Sequence, residues 1–241
     1  MATVKEHYDG VLADVYSWMF GGFASGVTRN TDFFNTRGIR PVQSGVALDL
    51  GAGCGFQSIP LARLGFKVTA IDLSGPLLRE LEGNAGSLPI ETVEGDLTCF
   101  DDHVKETVEL VVCMTDTVLH LPSREAVAVL FGKVAAALDD AGTLILTFRD
   151  LSGELTGVDR FIPVKSDEDT ILTCFLEYGA ETVTVHDLVH TNGQGGWTLK
   201  ASCYEKLRLS GAWVHAQLEG AGFGSVDVTE EGGVVTVVAR K

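Results

Sequence analysis

The sequence predicts an α/β protein: a Rossmann-like sheet of seven strands with helices on both faces and an antiparallel β insertion. Three observations carry that expectation. First, Val46 to Leu50 is a short apolar run that ends in the turn Gly51-Ala52-Gly53-Cys54-Gly55, after which Ile59, Leu61 and Leu64 fall at helical spacing. Second, the next apolar run, from Val68, closes on an acid, Asp72. Strand, glycine turn, helix, strand and acid make one nucleotide-binding half of an open parallel sheet. Third, from Leu151 to Ser210 the helical period gives way to short alternating runs separated by Gly179, Asn192-Gly193 and Gly195-Gly196.

Along the chain, Leu12, Val15, Tyr16 and Met19 form a helical stripe that Gly21-Gly22 interrupts. A second helix is expected over Thr31 to Arg37, stopped by Pro41, so residues 1–44 read as a helical cap dense in aromatics. The glycine turn lets a ligand approach bare backbone. The helix it opens offers free N–H groups to an anion or carboxylate. A dinucleotide fingerprint places its third glycine where Phe56 stands, whereas here it is Gly55, which argues against a nicotinamide dehydrogenase. Ser74 is placed to cap a helix over Gly75 to Gly86, with Pro76 in its first turn. Strand Ile90 to Glu94 leads to Gly95-Asp96-Leu97. Strand Glu109 to Met114 is nearly all apolar, as a strand covered on both faces should be. It delivers Thr115, Asp116 and His120 to the carboxyl ends of the strands, where ligands of open α/β sheets bind. A helix over Ser123 to Leu138 is ended by Asp139 to Gly142, and strand Thr143 to Phe148 carries Arg149 at its end.

The insertion, residues 151–210, reads as strands near 158–164, 170–178, 181–190 and 197–209. A helix over Trp213 to Ala221 returns the chain to the main domain (45–150 and 211–241), which closes with a hairpin about Glu230 to Gly233.

The composition narrows the function classes. A chain of 241 residues with 45% hydrophobic content has a sizeable core. A net charge of −15 disfavours nucleic acid, whose binding rests on phosphate neutralisation. Five scattered cysteines without a C-x-x-C pair read as reduced thiols of a cytoplasmic protein. No run of about 18 apolar residues and no signal-peptide pattern is seen, so no membrane span is expected. His186 and His190 lie four apart, but in an expected strand and without a third ligand, so no metal is expected.

The G-x-G-x-G turn, with Asp49 in the strand before it, resembles motif I of the class I S-adenosylmethionine-dependent methyltransferases. The chain is further similar to the glycine N-methyltransferase branch, with its sarcosine and dimethylglycine relatives. Tyr8 to Gly22, the glycine loop, Val112 to Leu121 and Thr143 to Asp150 carry this, and the pattern continues through Lys165-Ser166-Asp167 and Leu207 to Ser210. The resemblance implies S-adenosyl-L-methionine as cofactor and the seven-stranded methyltransferase sheet. It places Gly51, Ala52 and Gly53 under the methionine part, Asp72 with Leu73 at the ribose, and Asp96 with Leu97 at the adenine amino group. Met114 and Thr115 join this set from the fourth strand. Tyr8 and Tyr16 are candidates to cap the pocket, since a tyrosine face favours a sulfonium cation.

Arg149 matches the family's clamp for a substrate carboxylate, with a surface ion pair to Asp150 or Glu154 as the alternative. Asp116 stands where the family has Asn, and His120 matches the family's His on the cofactor side. Asp187, and Gly211 or Ala212, fall near the family's substrate-ordering tyrosines, so glycine itself is not the expected substrate. Asp116, joined by His186, Asp187 or His190, favours an amine or imidazole substrate. The amine loses its proton to solvent, or to Asp116 or His120. The expectation is a small-molecule N-methyltransferase. Transfer to oxygen, or cofactor binding without catalysis, is the alternative.

Overall fold

The computed structural model describes residues 1–241. The N-terminal segment runs through α1 (Val4–His7), a π-helical turn over Tyr8–Leu12 and α2 (Tyr16–Met19) to α3 (Phe23–Thr36). The main sheet follows as β1 (Val46–Leu50), α4 (Ser58–Arg63), β2 (Lys67–Asp72), α5 (Gly75–Ala85) and β3 (Ile90–Glu94). Then come β4 (Val108–Cys113), α6 (Arg124–Ala137) and β5 (Leu138–Arg149). The insertion contributes β6 (Phe161–Ser166), β7 (Thr170–Tyr178), β8 (Thr182–Gly193) and β9 (Gly196–Leu207). The chain ends with α7 (Gly211–Gly220), β10 (Ser225–Glu231) and β11 (Val234–Arg240).

Seven strands form one sheet in the order β10-β11-β5-β4-β1-β2-β3, and the insertion forms a second sheet, β6-β7-β8-β9. Strands β1 to β5 pair in parallel, and β11 inserts antiparallel between β5 and β10. The expected α/β architecture is therefore present. The strand order reverses at β1, which pairs β2 on one side and β4 on the other. The crevice at such a reversal is where this class of sheet binds ligands.

Leu144, Leu146 and Phe148 of β5 and Val235 and Val237 of β11 pack beneath α6 and α7. On the opposite face, Phe34 of α3 is fully buried against Ala47, Val68, Val112 and Ile145. Alternation along β8 and β9 turns Val183, Val185 and Tyr204 inward, and these join the main core. Leu172 and Val189 pack instead on Val11 of the N-terminal segment.

Three local readings change. Helix α3 starts at Phe23 rather than Thr31, directly after Gly21 and Gly22, whose φ of 88° and 93° break the preceding helix. Asp139 to Gly142 is not a helix-ending loop but part of β5, paired to β4 through a register jump between Val108–Leu138 and Leu110–Thr143. Ser74 stands at the start of α5 without capping it, because its hydroxyl donates to Asp9 Oδ1 at 2.6 Å. No helix is long and apolar enough to cross a membrane.

Candidate active site

The turn after β1 is shaped by contacts that leave no room for side chains. A Cβ on Gly51 (φ 79°) would lie 2.2 Å from Thr117 Cγ2, and one on Gly55 (φ 94°) 2.3 Å from Leu81 Cδ1. The N–H of Gly53 donates to Asp72 Oδ2 and that of Ser74 to Asp72 Oδ1, each at 2.8 Å. Asp72 thus ties the glycine turn to the end of β2, and each oxygen keeps accepting capacity for a further donor. Burial pushes its carboxyl upward, and the two backbone N–H groups partly offset that.

Above this turn lies a cavity of about 340 Å³. Of the residues assigned to the cofactor from sequence, Tyr8, Tyr16, Gly51, Gly53 and Asp72 line it, as do Leu73, Asp96, Leu97 and Thr115. Two others do not. Ala52 is buried behind the turn, with its N–H on Ile71 O. Met114 faces a separate groove on the far side of Thr115. Lys5 was not foreseen at the site. Its ammonium straps the rim by donating to Leu73 O at 2.6 Å and to Glu94 at 3.0 Å.

Asp116 is 4% exposed and fully engaged. Its Oδ1 accepts the N–H of Arg149 at 2.7 Å, and its Oδ2 accepts Arg149 Nη1 at 2.6 Å and Lys206 Nζ at 2.8 Å. Burial pushes its carboxyl up, but Lys206 and Arg149 overcome this and hold it well below the ordinary range. His120 lines the cavity, contacts Tyr8 Oη through Nε2 at 3.2 Å and stacks on Tyr204 at 5.3 Å. Burial, reinforced by Lys206, pushes it down to about 3, so it is neutral near pH 7.

These facts correct the expectation that Asp116 or His120 serves as the base. An anion held by two cations and an imidazole titrating near 3 are both poor proton acceptors at neutral pH. Asp116 is likewise not free to hold a substrate ammonium. Arg149 pairs with Asp116 rather than with Asp150 or Glu154, and its side chain stays 61% exposed. Burial raises the Tyr8, Tyr16 and Tyr204 hydroxyls well above their usual value, keeping them neutral.

Asp187 does not join Asp116. It is buried against His7, Nε2 to Oδ2 at 2.9 Å, and accepts from the Cys174 thiol. His186 pairs with Glu177 across strands. Lys206 escaped the sequence reading, although one signal was there: the period of two along β9 places it on the same face as buried Tyr204.

A family model described as a methyltransferase domain matches residues 47–159, the stretch holding the glycine turn, Asp72, Asp96 and Asp116. The cypemycin N-terminal methyltransferase of a Streptomyces species is 29% identical over 188 residues, 71% of this chain and 74% of that one. The chain is a class I S-adenosylmethionine-dependent methyltransferase. The glycine/sarcosine N-methyltransferase of Aphanothece halophytica is 31% identical to this methyltransferase over 105 residues, 43% of this chain and 40% of that one. The solved structure of the CcbJ methyltransferase from Streptomyces caelestis superposes with a TM-score of 0.76 over 97% of each chain at 20% identity, a likeness of fold. The cofactor of this methyltransferase is S-adenosylmethionine. The cavity fits it: bare glycine backbone, an acid beneath the opening and neutral tyrosines above suit a cationic nucleoside.

Proposed function

We propose that this methyltransferase acts on the nitrogen of a small amine that also carries a carboxylate. The observation that carries the reading is the Lys206–Asp116–Arg149 cluster. Two cations around one carboxylate leave one net positive charge at the carboxyl end of β4, with part of the Arg149 guanidinium open to solvent. Such a site favours an anionic group, and an arginine fork suits a carboxylate.

S-adenosylmethionine, when bound, supplies an electrophilic methyl group on a positively charged sulfur. Gly51 and Gly53 give its methionine part room, Asp72 accepts from the ribose hydroxyls, and Asp96 accepts from the adenine amino group. Tyr8 and Tyr16 offer aromatic faces and neutral hydroxyls to its cation. Arg149, backed by Lys206, orients the acceptor through its carboxylate, and orientation alone is worth roughly 7–11 kcal/mol in well-placed reactions.

The missing base favours nitrogen over oxygen. An amine that leaves its proton in solvent arrives as a competent nucleophile, whereas a hydroxyl needs a proton acceptor that Asp116 and His120 do not provide. The two sequence relatives, a cypemycin N-terminal methyltransferase and a glycine/sarcosine N-methyltransferase, both act on nitrogen by name and support the same choice.

The test is incubation with methyl-labelled cofactor and matched panels of amino acids, amines lacking a carboxylate and hydroxy acids. Label on nitrogen is expected. The kcat/KM should rise with pH toward the acceptor's own amine pKa, with no inflection from an enzymic base near 6–7. Arg149→Gln should raise the acceptor KM about tenfold, the worth of one charged hydrogen bond, and leave cofactor affinity unchanged. Methylation of hydroxy acids with refusal of amines would refute the reading.

A further inference from the structure

Beside the cofactor cavity lies a groove of about 240 Å³ that shares only Thr115 with it. Its floor is Thr147, Val234 and Thr236, on the face of β5 and β11 opposite α6 and α7. Phe20, Phe33 and Phe56 form its aromatic walls, and Arg29 stands at its edge. The guanidinium is held by Phe20 O at 2.8 Å and by Ser25 Oγ at 3.4 Å, 6.0 Å from the centre of the Phe20 ring. It thus borders an aromatic hollow without a carboxylate partner, in a chain of net charge −15.

Two facts connect the groove to the reaction. Thr115 lines both the groove and the cofactor cavity, so the two spaces share a wall at the end of β4. In the β5–β11 register Arg149 lies directly opposite Val234, and Thr147 opposite Thr236. The backbone of the carboxylate-binding arginine therefore stands at one end of the groove floor.

We propose that this groove is the side-chain pocket of the methyl acceptor, and that the acceptor is an α-amino acid with an aromatic side chain. The half-buried Phe20 and Phe33 rings can contact an aromatic side chain, with the buried Phe56 ring behind them, and Arg29 adds a cation beside it. Glycine leaves this space to water. The inference rests on the amine-and-carboxylate reading above.

The experiment is calorimetric binding of L-phenylalanine and of glycine to the full-length enzyme loaded with S-adenosylhomocysteine. Phenylalanine should bind at least about tenfold more tightly than glycine, the difference expected for burying a benzyl group. Thr236→Trp, which fills the groove from its half-buried floor, should weaken phenylalanine at least tenfold and leave glycine and S-adenosylhomocysteine within about twofold. Arg29→Gln should weaken phenylalanine about threefold, as loss of one exposed cation–π contact does, and spare glycine. Absent phenylalanine binding, equal affinities for the two amino acids, or a Thr236→Trp enzyme that binds phenylalanine normally would each overturn the proposal. The product assay separates the two readings. Nitrogen methylation of glycine without a phenylalanine preference sinks the groove alone. Groove-dependent binding without transfer to nitrogen sinks the proposed function alone.

Discussion

Asp49, two residues before the glycine turn, is a fully buried acid with a single side-chain partner, Ser58 Oγ at 2.6 Å on Oδ2, while Oδ1 has none. Burial pushes its carboxyl up to about 7, with Ser58 pulling the other way. Its unfolded value is near 3.8, so between about pH 4 and 7 the folded chain holds the proton more tightly than the unfolded one. Stability from this residue therefore falls as pH rises through that window and is constant above it. Asp49→Asn removes the titration and keeps a carbonyl for Ser58. Urea unfolding should find the variant and the parent alike near pH 4, with the variant gaining as pH rises. The gain should reach at most about 4 kcal/mol above pH 7, at 1.36 kcal/mol per unit. A difference that stays flat across pH would show that Asp49 titrates normally. The residue scale also holds what sequence hides best. Thr115 and Asp116 are the two non-glycine residues with positive φ, 60° and 68°, a conformation that a β-branched residue rarely adopts. Thr147 holds them there, accepting the N–H of Thr115 on Oγ1 at 2.8 Å and that of Asp116 on its carbonyl at 3.0 Å. Nothing in Thr115-Asp116 read alone announces that bend.

At the scale of elements, the β1–turn–α4–β2 unit was legible because each signal in it is local: an apolar run, alternate glycines, a helical period, a terminal acid. Helix α3 was not legible at its start. Its first turns, Ala24 to Asn30, are mostly small or polar residues, and only Gly26 and Val27 among them are buried. The start of β5 was misread for a related reason. Asp139-Asp140-Ala141-Gly142 has turn chemistry, and what keeps it extended is distant: pairing of Leu138 with Val108, and the N–H of Lys241 on Gly142 O. Gly26 shows how packing overrides local preference. In a helix interior, Gly to Ala gains about 1 kcal/mol from propensity. Here a Cβ would sit 2.4 Å from Cε1 of Phe56, a ring that is 3% exposed and hemmed in by Tyr16, Phe20 and Phe23. Overpacking of this kind costs about 1–3 kcal/mol. Gly26→Ala should therefore lose stability in urea melts, by about 1 kcal/mol net, and perturb the groove that Phe56 walls. A stabilised Gly26→Ala would mean that α3 moves away from Phe56 at little cost.

Across the whole molecule, the glycine turn and Asp72 could be read from sequence because they lie within one supersecondary unit. The Lys206–Asp116–Arg149 cluster could not, because it joins the insertion to two strand ends of the main sheet. The same holds for the contact that binds the N-terminal segment to the insertion. His7, fully buried, pairs with Asp187 of β8 at 2.9 Å and packs on Tyr204 of β9, ring centres 4.1 Å apart. Tyr8, next along, reaches His120 at the cavity. The pair thus fixes the roof of the cofactor site to the second sheet. Removing one member strands the other. His7→Phe leaves the Asp187 carboxylate buried with the Cys174 thiol as its remaining side-chain partner, at a cost of about 3 kcal/mol. Asp187→Leu leaves the imidazole without an acceptor and costs about 1–3 kcal/mol. The double variant removes both polar groups and fills the space with apolar atoms, so it should be more stable than His7→Phe and close to the parent. Urea melts of the four proteins measure that coupling. Resistance to protease cleavage within residues 1–22 and cofactor affinity should follow the same order, both reduced in His7→Phe and restored in the double variant. Additive losses, with the double variant the weakest, would mean that His7 and Asp187 act separately and that the roof is held by Lys5 and Tyr8 instead.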